Sequence, residues 1–209
     1  VIRSRRLGTT LNDRRDLVLA SGSPRRRELL ASIGWPFRVD VPDVCEEILP
    51  GEPPEEAVVR LARAKAGAAA LGNPGALVVA ADTLVALGGD VLGKPADRAD
   101  SLRMIRALGG AAHSVFTGVA VRRGEEERFA VERTEVEFRP LSNDDIAEYV
   151  ECGEGDDKAG AYAIQGRGAL LVSSVHGDYF NVVGLPLCRL SRLMEEFGWS
   201  LADQWRGCL

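Results

Sequence analysis

A mixed-sheet α/β fold is what this sequence predicts, and three observations predict it. Strand-like and helix-like segments alternate through the first hundred residues, hairpins dominate the second half, and Gly, Pro or Asn punctuates most of the joints. No internal repeat or low-complexity tract competes with that reading.

Each element has a local reason. Residues 1–16 lack apolar periodicity and read as a disordered leader ahead of one domain over 17–209. A transit peptide fits them less well, because Asp13 and Asp16 interrupt the basic run and no amphipathic pattern is present; a start assigned too early is the other reading. Leu17 to Ala20 is a short apolar strand, Ser21-Gly22-Ser23 a turn, and Ser23 sits as N-cap with Pro24 opening a helix to Ile33. Phe37 to Val41 reads as a strand, Asp43 to Gly51 as an acidic loop, and Pro53 starts an alanine-rich helix ending near Leu71. Leu77 to Leu87 is a near-continuous apolar strand broken by Asp82, followed by a turn and the short Val91-Leu92. Asp97 to Leu108 is helical. His113 to Arg122 and Glu127 to Phe138 form a hairpin about Arg123-Gly124, and Ser142 caps a helix to Cys152. Gly168 to Val175 and Tyr179 to Val183 read as strands, and Pro186 to Phe197 as the closing helix.

Composition excludes several classes. With 45% apolar and 27% charged residues, the 209-residue chain has material for a substantial core, and no apolar run is long enough to span a membrane. Cys45, Cys152, Cys188 and Cys208 stand far apart without a CxxC pair, which suits reduced thiols in the cytoplasm. A net charge of −5 argues against a dedicated nucleic-acid binder, yet the stretch up to Glu28 is basic, which suggests an anion site or a solvated arm. Lysine occurs only at 65, 94 and 158, so the chain keeps it where a compact point charge serves better than a planar fork, or retains it by chance.

Five segments carry candidate chemistry. In Ser21-Gly22-Ser23-Pro24-Arg25-Arg26 a strand feeds a helix N-terminus, and two hydroxyls and two guanidiniums add hydrogen bonds suited to phosphate; the plain alternative is an N-cap with surface arginines. Asp82 is costly inside an apolar strand unless it binds a metal, meets a base, moves a proton or forms a structural ion pair. Glu46 and Glu47 offer a second carboxylate for a cation or simply a solvated loop. Gly88 to Lys94 satisfies GxxxxGK, but Pro95 supplies no hydroxyl and opposes the helix that a P-loop needs, so only Lys94 survives, as a phosphate contact. Asp156 to Gly166 combines Lys158, small residues, an aromatic ring and Gln165, whose amide both donates and accepts, as recognition of a flat polar base requires; tight loop packing is the alternative. His113 and His176 lack HExxH spacing and there is no GxSxG elbow, which disfavours zinc and serine hydrolases.

Taken together these segments resemble the Maf family of nucleoside triphosphate pyrophosphatases, also called septum-formation inhibitor proteins. The matching blocks are LASGSPRRRELL, RLARAKA, AADTLV, VLGKP, HSVFTGV, DKAGAYAIQG and GDYFNVVGLPL, in the family's order from Leu19 to Leu187. The resemblance implies an inosine-triphosphatase-like fold with two lobes around a cleft. It implies cleavage of dTTP and UTP to monophosphate and pyrophosphate with magnesium or manganese. It puts Asp82 on the proton acceptor, Ser21, Arg25 and Arg26 on the phosphate-binding turn, and Glu46, Lys65 and Lys94 on the other acidic and basic positions, with Glu46 and Asp82 as metal ligands. All three lysines, Lys158 included, fall inside matching blocks, and Arg25, Thr83 and Gln165 match the dTTP/UTP branch. Glu47 is the alternative counterpart of Glu46. The implied partner is a nucleoside triphosphate, with neither nucleic acid nor membrane, and a homodimer is compatible. A modified nucleotide as substrate and a non-hydrolytic nucleotide-binding regulator of cell division are the rival readings.

Overall fold

Strand β3 (Leu77–Leu87) organises the sheet. In the computed structural model, which describes residues 16–207, β3 has partners of opposite direction on one and the same edge. Its first third pairs in parallel with β1 (Leu17–Leu19), through Leu19 opposite Val79. Its last third pairs antiparallel with β4 (Asp90–Leu92), from Val85 opposite Leu92. Neither strand covers residues 80–84 between them, and Asp82 lies in the middle of that break. The other edge of β3 is fully occupied by β5 (Ala112–Arg123), from Val78 opposite Arg122 to Ala86 opposite Ser114. With β2 (Arg38–Val39), β6 (Glu126–Phe138) and β7 (Val172–His176), the order is β2-β1-β3-β5-β6-β7, a seven-stranded mixed sheet as expected.

Helices cover both faces. Along β3, Val78 and Ala80 meet α2 (Pro54–Gly72) through Ala62, Ala66 and Ala69, while Leu77, Val79 and Ala81 join the larger core on the opposite face. Small residues bring α2 close to the sheet: a Cβ at Gly118, opposite Asp82, would lie 2.3 Å from the Val58 carbonyl oxygen. The larger core gathers Leu30 of α1 (Pro24–Ser32), Ile105 and Leu108 of α3 (Arg98–Leu108), Tyr149 of α4 (Asn143–Glu151) and Leu190 and Met194 of α6 (Leu187–Glu196). Each such side chain contributes roughly 1.5–3 kcal/mol by burial. The expected cap at Ser142 is present as a full capping box with Asp145.

Three segments differ from expectation. Residues 179–183 form a helical turn, α5 (Tyr179–Val183), instead of a strand: the Asp178 side chain accepts the Phe180 N–H, and Gly184 ends the turn at φ +123°. Gly166–Leu170 is a 3-10 turn because the Glu154 carboxylate takes the N–H groups of Arg167 and Gly168, so no ladder is needed until β7. A further helix, α7 (Leu201–Arg206), follows Ser200, whose hydroxyl caps it at Asp203. Of the expected leader, residues 1–15 lie outside the described residues, as does Cys208. Asp16 is part of the fold, with its carbonyl accepting from Leu77 and its carboxylate paired with Arg38.

Candidate active site

A cleft of about 550 Å3 opens where β3 lacks a neighbour. Because the sheet is interrupted there, side chains from both of its faces reach one cavity. Asp82 points toward α2 and Thr83 toward α1, and both line it.

On the α2 side the Lys65 ammonium bridges two carboxylates. Its Nζ donates to Asp82 Oδ1 at 2.5 Å and stands 2.9 Å from Glu46 Oε1. Lys65 and Asp82 are each 7% exposed, whereas the Glu46 side chain stays half in solvent. Burial raises the Glu46 carboxyl, but the Lys65 hydrogen bond and charge, with Lys94 and Arg26 behind them, outweigh it and hold the group below the usual carboxylate range.

On the other side the β1–α1 turn presents Arg26. Its guanidinium donates to Gly184 O at 2.8 Å, Thr83 Oγ1 at 2.9 Å and Ser21 Oγ at 3.3 Å. All three acceptors are neutral. Burial pulls this guanidinium below its ordinary value and the Asp82 charge opposes the shift. Thr117 fixes the Thr83 hydroxyl: it donates its own hydrogen to Asn181 O, so across the 2.9 Å contact Thr83 donates to Thr117 and accepts from Arg26. Ser23 forms no side-chain cap, which leaves the first N–H groups of α1 facing the cleft.

The structure thus brings together Ser21, Ser23, Arg25, Arg26, Glu46, Lys65, Asp82, Thr83, Lys94 and Lys158 around one cavity. Lys94 is exposed at its rim, and Lys158 pairs with Asp157. Glu47 does not line the cleft, and Gln165 is exposed one residue beyond the wall at Ile164. Sequence reasoning passed over Gly184 and Thr117, and took Tyr162 only as the aromatic ring of the 156–166 segment. Tyr162 lines the cleft and is anchored by His113, whose Nε2 lies 2.8 Å from its hydroxyl. The matching blocks contain all three, but only the fold reveals that they touch.

A divalent cation fits this donor set. One cation, the Lys65 ammonium, already lies within 3 Å of both carboxylates, and among the described residues Asp82 Oδ2 and Glu46 Oε2 form no hydrogen bond. No group of three or more potential ligands occurs among the described residues. Two carboxylates with the remaining oxygens supplied by phosphate and water is the habit of magnesium.

Hydroxyls, arginines and lysines around a carboxylate pair give the cleft hydrogen-bond donors and positive charge of the kind that suits a polyanion. The chain belongs to the Maf-like protein family, whose model matches residues 16–197. It is 54% identical over 185 residues to a dTTP/UTP pyrophosphatase of Symbiobacterium thermophilum, covering 88% of this chain and 95% of that protein. It is 52% identical over 191 residues to the protein of the same name from Moorella thermoacetica, covering 90% and 97%. The Bacillus velezensis dTTP/UTP pyrophosphatase is 46% identical over 181 residues, covering 87% and 96%. Among solved structures, the Staphylococcus aureus Ham1 protein is similar with a TM-score of 0.41 and 20% identity over 59% of this chain and 71% of that one, a level that carries no structural argument.

Proposed function

We propose that the protein hydrolyses dTTP and UTP to the nucleoside monophosphate and pyrophosphate. The observation that carries this reading is the juxtaposition, at the unpaired stretch of the β3 edge, of the buried Asp82 carboxylate, held by Lys65, with the half-buried Arg26, whose hydrogen-bond acceptors are all neutral. The names of the relatives support the substrate class.

Arg26, Arg25, Lys94, Lys158 and the α1 N-terminus grip the triphosphate and orient its α-phosphorus for in-line attack. A water oxygen forms the new bond to that phosphorus as the bridge to the β-phosphate breaks, and Asp82 takes the proton of the water. Lys65 holds the Asp82 side chain in place and, with Arg26, offsets the charge that builds on the phosphoryl oxygens. Asp82 and Glu46 would hold magnesium or manganese, which would supply neutralisation of phosphate charge. Gln165 and the wall at Ile164 select the base. Action in the cytoplasm as a homodimer completes the reading.

The test is a panel of nucleoside triphosphates with magnesium or manganese, scoring pyrophosphate and orthophosphate separately. Pyrophosphate release led by dTTP and UTP is expected. Pyrophosphate led by other nucleotides removes Gln165 from its role, and tight binding without turnover replaces the enzyme by a regulator.

A further inference from the structure

One residue of the cleft works against its neighbours. Asp157 lines the cavity among hydroxyls, arginines and lysines that suit an anion, yet it is itself an anion. Its carboxylate accepts a hydrogen bond from the Lys158 ammonium, and its side chain is 71% exposed where that of Lys158 is only 16% exposed. The Lys158 hydrogen bond, with the Lys158 and Arg25 charges behind it, outweighs burial and holds the Asp157 carboxyl below the usual carboxylate range. From α1, burial pulls the half-buried Arg25 guanidinium below its ordinary value, and the Asp157 charge is the strongest influence opposing that shift. Two cations of the cleft, from two separate elements, thus share one carboxylate. Arg26 differs, since among the described residues it leans on neutral oxygens.

The turn that carries Asp157 is tightly packed. A Cβ at Gly155 would lie 1.9 Å from the Ala161 carbonyl oxygen, and the Gly160 N–H donates to the Gly93 carbonyl at 3.0 Å, one residue before Lys94. Gly160 and Ala161 both have positive φ, +72° and +59°, and at Ala161 the Cβ makes that conformation costly. Asp157 has a short side chain. On such a turn its charge stays within reach of the cavity whatever the cavity holds.

We propose that Asp157 is a specificity-determining residue that weakens the hold of the cleft on free pyrophosphate. This rests on the reading that Arg25 and Lys158 grip the triphosphate. An anion entering beside Lys158 shares that cation with Asp157 and meets its repulsion, a like-charge penalty felt across the width of the site. The whole nucleotide offsets the penalty through contacts of its base and sugar. Pyrophosphate has neither, so once it is cut from the nucleotide it carries the penalty alone and leaves.

Calorimetric titration of the full chain with pyrophosphate, in the presence of magnesium, tests this. Asp157→Asn should bind pyrophosphate about tenfold more tightly than the wild type, and the gap should shrink as salt rises. Asp157→Glu, which returns the charge, should match the wild type. Asp156→Asn removes the same charge from the neighbouring residue, which does not line the cleft, and should match it too. In the nucleotide assay, pyrophosphate should inhibit Asp157→Asn at correspondingly lower concentration. Equal affinity of Asp157→Asn and wild type overturns the proposal. So does tighter binding that Asp157→Glu or Asp156→Asn shares, or that salt leaves unchanged. A wild type that hydrolyses no nucleotide would defeat the proposed function instead, and the pyrophosphate titration would still decide the role of Asp157.

Discussion

Asp82 and Thr83 are adjacent in β3 yet meet opposite kinds of chemistry. On the α2 face, Asp82 is paired: Lys65 neutralises it at 2.5 Å and draws in Glu46 as well. On the α1 face, Thr83 helps hold a cation that no carboxylate touches among the described residues, since there Arg26 leans on Ser21, Thr83 and the Gly184 carbonyl. A buried charge without a counterion is costly, and neutral oxygens offset only part of that cost. The difference teaches that the two faces are prepared for different events. On the proposed function, the paired face would manage a proton and the unpaired face would take an anion that completes its charge balance.

The sharpest way to break this division is Asp82→Asn. It should lower kcat by about a thousandfold while calorimetry still detects dTTP binding and circular dichroism an intact fold. Wild-type turnover would remove Asp82 as the base. Lys65→Met attacks the same face through stability, because it leaves Asp82 buried without its cation. Urea unfolding should register a loss of about 3 kcal/mol, and an unchanged midpoint would mean that solvent already compensates Asp82.

The Thr83 face has its own stability signature in His113, which anchors Tyr162. Burial depresses the imidazole from 6.5 to about 4. The unfolded chain therefore binds a proton that the native chain refuses, so the contribution of neutral His113 is complete above about pH 6.5 and is lost as the pH falls toward 4. The loss is at most on the order of 3 kcal/mol across that window. Unfolding midpoints measured from pH 7 to pH 4 should drop less steeply in His113→Phe.

Arg26→Lys preserves charge but loses the fork that grips three acceptors at once. A fall of about a hundredfold in kcat/KM is expected, and near-normal kinetics would show that charge alone suffices. Thr83→Val makes the smallest change, about tenfold, by removing one of those acceptors. Its effect should be equal for every nucleotide. A loss confined to one base would instead make Thr83 a contact to the base.

Much of this site was legible in the sequence, for definite reasons. A carboxylate inside an apolar strand and a Ser-Gly-Ser-Pro-Arg-Arg turn are locally improbable unless they serve chemistry, so Asp82 and the α1 N-terminus announced themselves. Strands with regular alternation, such as β5 and β6, were placed to within a residue. The segment 179–183 was misread because its β-branched and aromatic residues favour a strand. The helical turn is favoured by contacts from elsewhere: the Asn181 amide donates to the Val115 carbonyl and to Thr134 Oγ1, both from the sheet. The start of the expected strand at Gly168 was misread likewise, because Glu154 takes the N–H groups of Arg167 and Gly168 and holds Gly166–Leu170 as a turn.

By itself the sequence determined which side chains carry charge, where helices start, and the period-two pattern that sends Asp82 and Thr83 to opposite faces. Those are local matters of covalent geometry and propensity. Only the tertiary structure decided that β1 and β4 stop short of each other along β3, that Lys65 stands between Asp82 and Glu46, and that Gly184 closes over Arg26 from 158 residues away. Such contacts depend on how far each strand runs before its neighbour ends, and packing of the whole sheet sets that length.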